Sequence, residues 1–154
     1  MDDNLITYKK LSRTDIPILT ELVKTYTDVF ETENFSMPNS EYFQTLLDND
    51  NIIFCVALLG NFVIGGLTAY ILPSVYYPSS QVYIYDLAVK PNMQRQGIGQ
   101  KIIAFLQNCC IELGHAEIYV QADIEDQHAI DFYKATGGHP EKVIHFTYDL
   151  KTLK

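Results

Sequence analysis

Three short stretches of this sequence hold residues able to do chemistry. The first contains an aspartate, Asp86, inside the apolar run Tyr83-Ile84-Tyr85-Asp86-Leu87-Ala88-Val89. A carboxylate there costs free energy unless it is paired, caps nearby N–H groups, or works as a base or an amine anchor. The second is Gln94-Arg95-Gln96-Gly97-Ile98-Gly99, a glycine-bearing turn at the start of a helical pattern. Free N–H groups and the positive end of the helix dipole make such a turn an anion site. Its glycines let a phosphate approach without interference from a Cβ. It is not a Rossmann fingerprint, because Ile102 stands where a third glycine is needed, and no Walker motif is present. The third stretch, Asp126 to Gly138, is a helical pattern with the pair Phe132-Tyr133 and a Gly137-Gly138 stop. By itself that pair reads as core packing.

These residues must be positioned by the elements around them. Residues 5 to 11 predict a first strand. Ser12 to Asp15 offer helix caps, and Ile18, Leu19, Leu22, Val23, Tyr26 and Phe30 follow at helical spacing to about Glu31. Ser40 opens a short helix with Phe43, Leu46 and Leu47 on one side. Ile52–Leu59 and Phe62–Leu72 predict a hairpin turned at Gly60-Asn61, with Gly65-Gly66 marking a bulge. Gln81–Val89 is a strand, Ile98–Leu113 an amphipathic helix stopped by Gly114, and Glu117–Ala122 a strand. Asp126–Thr136 is a helix and Val143–Leu150 a final strand. Regular alternation in 81–89 puts Ile84, Asp86 and Ala88 on one face and Tyr85, Leu87 and Val89 on the other. The order β-α-α-β-β-β-α-β-α-β predicts an α/β protein with a mixed sheet and helices on both faces.

With 154 residues the chain is long enough for one domain, 1–154, with its own core. Its 19 acidic and 11 basic residues give a net charge of −8, unsuited to nucleic-acid phosphate and suited to a cationic partner. No apolar stretch is long enough to span a membrane. Met1-Asp2-Asp3-Asn4 does not begin a signal peptide, and Cys55, Cys109 and Cys110 make no disulfide framework, so a reducing cytoplasm is expected. No Cys/His spacing fits a metal site.

The glycine turn and the Phe-Tyr helix, in this order and separated by one strand, resemble motifs A and B of the GNAT superfamily of N-acetyltransferases. The pattern R/Q-x-x-G-x-G/A is matched at Gln94, Gly97 and Gly99, and A-x-x-F/L-Y-x-x-x-G at Ala129, Phe132, Tyr133 and Gly137. The element order fits the same fold from end to end. The strings Tyr83–Val89 and Ile118–Asp123, with Ala69–Pro73, Arg95–Ile98 and Val143–Phe146, resemble the aminoglycoside 3-N-acetyltransferases of GNAT type. His128 departs from them, since those enzymes have proline before the matched alanine.

The resemblance implies acetyl-CoA as donor. Its pyrophosphate would lie on the backbone of Gln94, Arg95, Gln96, Gly97, Ile98 and Gly99, with its pantetheine along Leu87, Ala88 and Val89. Asp126 and Ala129 at the later helix start would also face it. Tyr133 corresponds to the tyrosine that protonates the leaving thiolate, and Asp86 is the candidate base. Tyr85, Asp86, Asp123, Glu125 and His145 are the candidate acceptor-binding residues. The acceptor implied is a cationic amine, an aminoglycoside antibiotic acetylated on its 3-amine. Rival readings are another small amine (a polyamine or amino sugar), a basic peptide, or a non-catalytic acyl-CoA-binding module. Many members of the superfamily dimerise, and a homodimer is compatible with the sequence.

Overall fold

A computed structural model describes residues 5–153; Met1 to Asn4, read above as lacking a signal, lie outside the described residues. The chain forms two compact units, Met1–Gln121 and Ala122–Lys154.

Among the described residues the first unit is a five-stranded sheet in the order β1-β2-β3-β4-β5 with three α-helices. Its strands are β1 (Ile6–Lys10), β2 (Ile52–Leu59), β3 (Phe62–Pro73), β4 (Ser80–Val89) and β5 (Glu117–Val120). Its helices are α1 (Ile16–Val29), α2 (Ser40–Leu47) and α3 (Ile98–Leu113). The first four strands pair antiparallel and β4 pairs parallel with β5. The β2–β3 turn forms where the Gly60-Asn61 signal predicts it, with Gly60 at φ +59°. Asp15 opens α1, and its carboxylate accepts the Ser12 N–H at 2.7 Å and pairs with Lys9 at 2.8 Å. Asn39 caps α2 by accepting the Tyr42 N–H at 2.9 Å.

One face of the sheet is covered by α1. Leu19, Leu22 and Tyr26 pack there on Phe54, Val56, Val63 and Ala88. The approach is close at Gly66, where an added Cβ would stand 2.6 Å from the Cys55 carbonyl oxygen and from a Leu22 methyl. The predicted bulge sits beside the glycine pair: Ala57 pairs with Gly65 and Leu58 with Val63, leaving Ile64 as the extra residue.

A second bulge, which the alternation pattern did not predict, corrects the assignment of faces in β4. Thr68 pairs with Asp86 but Ala69 with Ile84, so Tyr85 is the extra residue. Cross-strand partners share a face, and Thr68 bonds to Tyr26 of α1 at 2.9 Å. Asp86 therefore faces α1 with Thr68, while Ile84 faces the other way. Tyr83, opposite Tyr70, lies on the Asp86 side as well.

The second unit holds α4 (Gln127–Ala135), followed by Gly137 at φ +94° and an extended arm. The predicted final strand, Val143–Leu150, is not formed; no residue from Gly138 to Asp149 is in a strand. The physical reason is a missing partner. A strand exists only through a ladder, and no backbone hydrogen bond among the described residues engages 139–148.

Candidate active site

The first unit brings together the β4 candidates and the glycine turn. The Gln94 side chain donates to the Val89 carbonyl at 2.9 Å, and the Lys90 N–H donates to the Ile64 carbonyl at 2.9 Å. These two bonds pin the turn to the end of β4. Arg95 and Gly97 both adopt left-handed backbone, φ +63° and +78°, in the turn that leads into α3. Nothing lies within 4 Å of where a Gly97 Cβ would be, so the space above the turn is open. From Arg95 to Gln100 no backbone N–H has a backbone partner among the described residues; the first α3 ladder bond is Lys101 to Gly97, 3.0 Å. Ile98 is buried and anchors the helix, and Gly99 is half-buried beside it. Gln96 folds back on Asn92 at 3.3 Å, and Arg95 is exposed with no ion pair among the described residues. The result is an open cradle of amide donors and one free cation, suited to a polyanion.

Pairing of β4 with β5 ends at Ile84 and Val120, immediately before the Tyr85 bulge. Among the described residues the rest of β4, Tyr85 to Val89, has no strand partner on that side, so its backbone groups are left open there. Leu87 and Val89 are half-buried and Ala88 is buried in the α1 core. An extended amide chain would find ladder partners there.

Asp86 stands at the head of this open stretch. It is half-buried and accepts no hydrogen bond from any described residue, so it caps no N–H group. Burial raises its pKa above the ordinary carboxylate value. Burial raises the pKa of Tyr26, Tyr70 and Tyr83; the Asp86 charge is the next cause that raises it at Tyr26 and Tyr70, and at Tyr83 it acts after Tyr119 and Tyr85. Tyr85 is 64% exposed and meets Tyr70 edge-on at 5.7 Å and Tyr83 at 5.9 Å. Tyr83 stacks on Tyr119 at 4.8 Å and donates its hydroxyl to Gln121 at 3.1 Å. A row of four tyrosines thus crosses three strands beside the carboxylate. Tyr70, Tyr119 and Thr68 were not among the sequence candidates. The signal that would have found them is the pairing register, which sets Tyr70 opposite Tyr83 and Thr68 opposite Asp86.

The second unit holds the other candidates. Asp123, Ile124, Glu125 and Asp126 line an open concavity of about 520 Å³. The Asp126 carboxylate accepts the Ala129 N–H at 3.0 Å and so caps α4. Tyr133 is half-buried on α4 against Phe132, and burial, then the Asp126 charge, raise its pKa. The hydroxyl therefore keeps its proton at neutral pH. His145 lies in the extended arm and is exposed. No cluster of metal-ligating side chains exists among the described residues.

Comparison with known proteins matches this geometry to a family. The Acetyltransferase (GNAT) family matches residues 17–137. No curated protein sequence matches the chain. Among solved structures, an aminoglycoside acetyltransferase from an uncultured soil metagenomic sample, in complex with trehalose, is 44% identical, with a TM-score of 0.94 over 97% of this chain and 99% of that one. A complex with sisomicin is 43% identical, again with a TM-score of 0.94 over 97% and 99% of the two chains. Another aminoglycoside acetyltransferase from such a sample is 34% identical, with a TM-score of 0.88 over 94% and 98%. With most of its length matched and its glycine turn, split strand pair and Phe-Tyr helix all formed, the chain belongs to the GNAT acetyltransferase family.

Proposed function

We propose that this enzyme transfers acetyl from acetyl-CoA, the donor of its family, to the 3-amine of an aminoglycoside. The observation that carries the reading is Asp86: a half-buried carboxylate with no hydrogen-bond partner among the described residues, where β4 parts from β5. The likeness to aminoglycoside acetyltransferases at 34–44% identity supports the acceptor class. The net charge of −8 suits a polycation.

The amide cradle from Gln94 to Gly99, with Arg95, fits a pyrophosphate, and the open edge of Leu87 to Val89 fits a pantetheine amide chain. Bound acetyl-CoA supplies a thioester whose carbonyl carbon gains a C–N bond to the acceptor and loses its C–S bond. Asp86 takes the proton from the acceptor ammonium, directly or through water, and its raised pKa makes it a better base than a free carboxylate. Tyr133 gives its proton to the leaving sulfur, and exchange with solvent resets both groups. Tyr85, with Asp123, Glu125 and His145, contacts the acceptor. Asp126 and Ala129 face the donor through the start of α4.

The test measures CoA release with acetyl-CoA against sisomicin, gentamicin, kanamycin, spermidine and a basic peptide, with product NMR to locate the acetyl group. Turnover on sisomicin or gentamicin with a 3-N-acetyl product is expected. Turnover confined to spermidine or the peptide would remove the antibiotic reading. In the same assay Tyr133→Phe should lower kcat about 10²-fold with little change in KM, as loss of a general acid does. A variant at the wild-type rate would assign the thiolate proton to water instead.

A further inference from the structure

The first unit gathers negative potential beside Asp86 and sets nothing positive against it. Among the described residues no side chain pairs with this carboxylate, and no cation offsets the burial that raises its pKa. The tyrosines beside it add to the same sign, because the face of an aromatic ring is the negative part of its quadrupole. Tyr85 meets Tyr70 at 84° and Tyr83 at 80°, so these rings form a corner rather than a stack. Tyr83 is already engaged, with its ring on Tyr119 and its hydroxyl on Gln121. The Tyr70 and Tyr85 hydroxyls bond to no described residue. Tyr42 of α2 borders the corner, near enough to act on Tyr70 after burial, Asp86 and Tyr85.

Ring faces at an angle beside a carboxylate make a receptor for an ammonium. The reacting amine does not account for all of it. Asp86 becomes neutral when it takes the reacting proton, whereas ring faces do not titrate and keep hold of a cation throughout. We propose that Tyr70 and Tyr85 hold a second ammonium of the acceptor while the reacting amine lies at Asp86, so that the enzyme selects compact diamines over monoamines. This rests on the reading above that Asp86 receives the acceptor amine. Thr68, opposite Asp86, and Tyr70 are two residues apart on β3, about 7 Å. A ring attracts a cation within about 6 Å of its centre, so a diamine with its nitrogens on alternate carbons reaches both places. The second charge also favours the reaction. A neighbouring ammonium disfavours the charged form of the reacting amine, which leaves more of it as the neutral nucleophile.

Calorimetry of acceptor binding, which needs no turnover, tests this with cis-1,3-diaminocyclohexane and cyclohexylamine at neutral pH. The wild type is expected to bind the diamine at least about tenfold more tightly. Tyr70→Leu and Tyr85→Leu should each lower that preference about 3- to 10-fold. Tyr70→Phe and Tyr85→Phe should keep it within about twofold, because phenylalanine retains the ring face. Tyr85 is the extra residue of the bulge, so leucine there tests the ring even if Tyr70→Leu does not fold. Equal or undetectable binding of the two amines would overturn the proposal. So would a preference unchanged in both leucine variants, which would assign the second charge to the net charge of the chain, or one lost in the phenylalanine variants, which would assign it to the hydroxyls. The expected binding pattern without turnover of any aminoglycoside would remove the acceptor reading and leave the aromatic corner standing. Aminoglycoside turnover without a diamine preference would do the reverse.

Discussion

Asp86→Asn is expected to lower kcat/KM about 10²- to 10⁴-fold while leaving the fold at least as stable as the wild type. The two halves of this expectation have one cause. Asp86 is half-buried and no described residue donates a hydrogen bond to it, so its charge has lost water and gained nothing in exchange. Its folded pKa therefore lies above the free value. Between those two values the folded state holds more protons than the unfolded one, so this group lowers stability as pH rises through the window. The cost is absent below the free pKa and complete above the folded one. Asparagine keeps the shape and removes the charge, so the melting temperature at neutral pH should hold or rise. The pH dependence should change as well. In the wild type, kcat/KM climbs as Asp86 loses its proton, at a higher pH than a free aspartate would. In the variant that limb disappears, and only deprotonation of the acceptor amine remains. A pH–rate profile beside a thermal melt reads all of this. An Asn variant with an intact acid limb would assign the base elsewhere, and one that unfolds would show that the carboxylate is structural.

The second large effect is on stability. Leu22→Ala should cost about 2–5 kcal/mol, because Leu22 is fully buried between α1 and the sheet and its loss leaves a cavity. Gly66→Ala should cost about 1–3 kcal/mol for the opposite reason, overpacking at the same contact. The double variant is informative. Removing the Leu22 methyls relieves one of the two clashes at Gly66, but the Cys55 carbonyl oxygen is backbone and does not move aside. The two changes should therefore rescue each other only in part, as urea unfolding of the four proteins would measure. Full rescue would mean that the sheet backbone yields here. Because Gly66 pairs with Ala88 and Thr68 with Asp86, the same packing holds β4 in register.

The locally encoded parts of this protein were legible in its residues. Periodicity in 98–113 gave α3 to the residue, since a 3.6-residue apolar repeat ended by glycine at φ +76° has one reading. The hairpin at Gly60 and the glycine turn at Gly97 followed from backbone conformations that favour glycine. The family was legible in two motifs for the same reason, because each places an unusual residue where local geometry demands it. The Val143–Leu150 pattern was read as a strand, and its chemistry is that of a strand. A ladder needs a partner, though, and periodicity within one segment carries no information about which edge supplies it.

Around Asp86 the tertiary structure made the decision. The residue type marked it as unusual, but strict alternation put it on the face of Ile84. One unpaired residue, Tyr85, turned it to the face of α1, beside Tyr26, Tyr70 and Tyr83. That bulge reflects the register between β3 and β4, and β4 leaves β5 at the same point. The sequence thus determined which residues and which reaction family this chain has. Only strand pairing decided which of them face one another, because a period of two is reversed by a single extra residue, and that residue is chosen by partners distant along the chain.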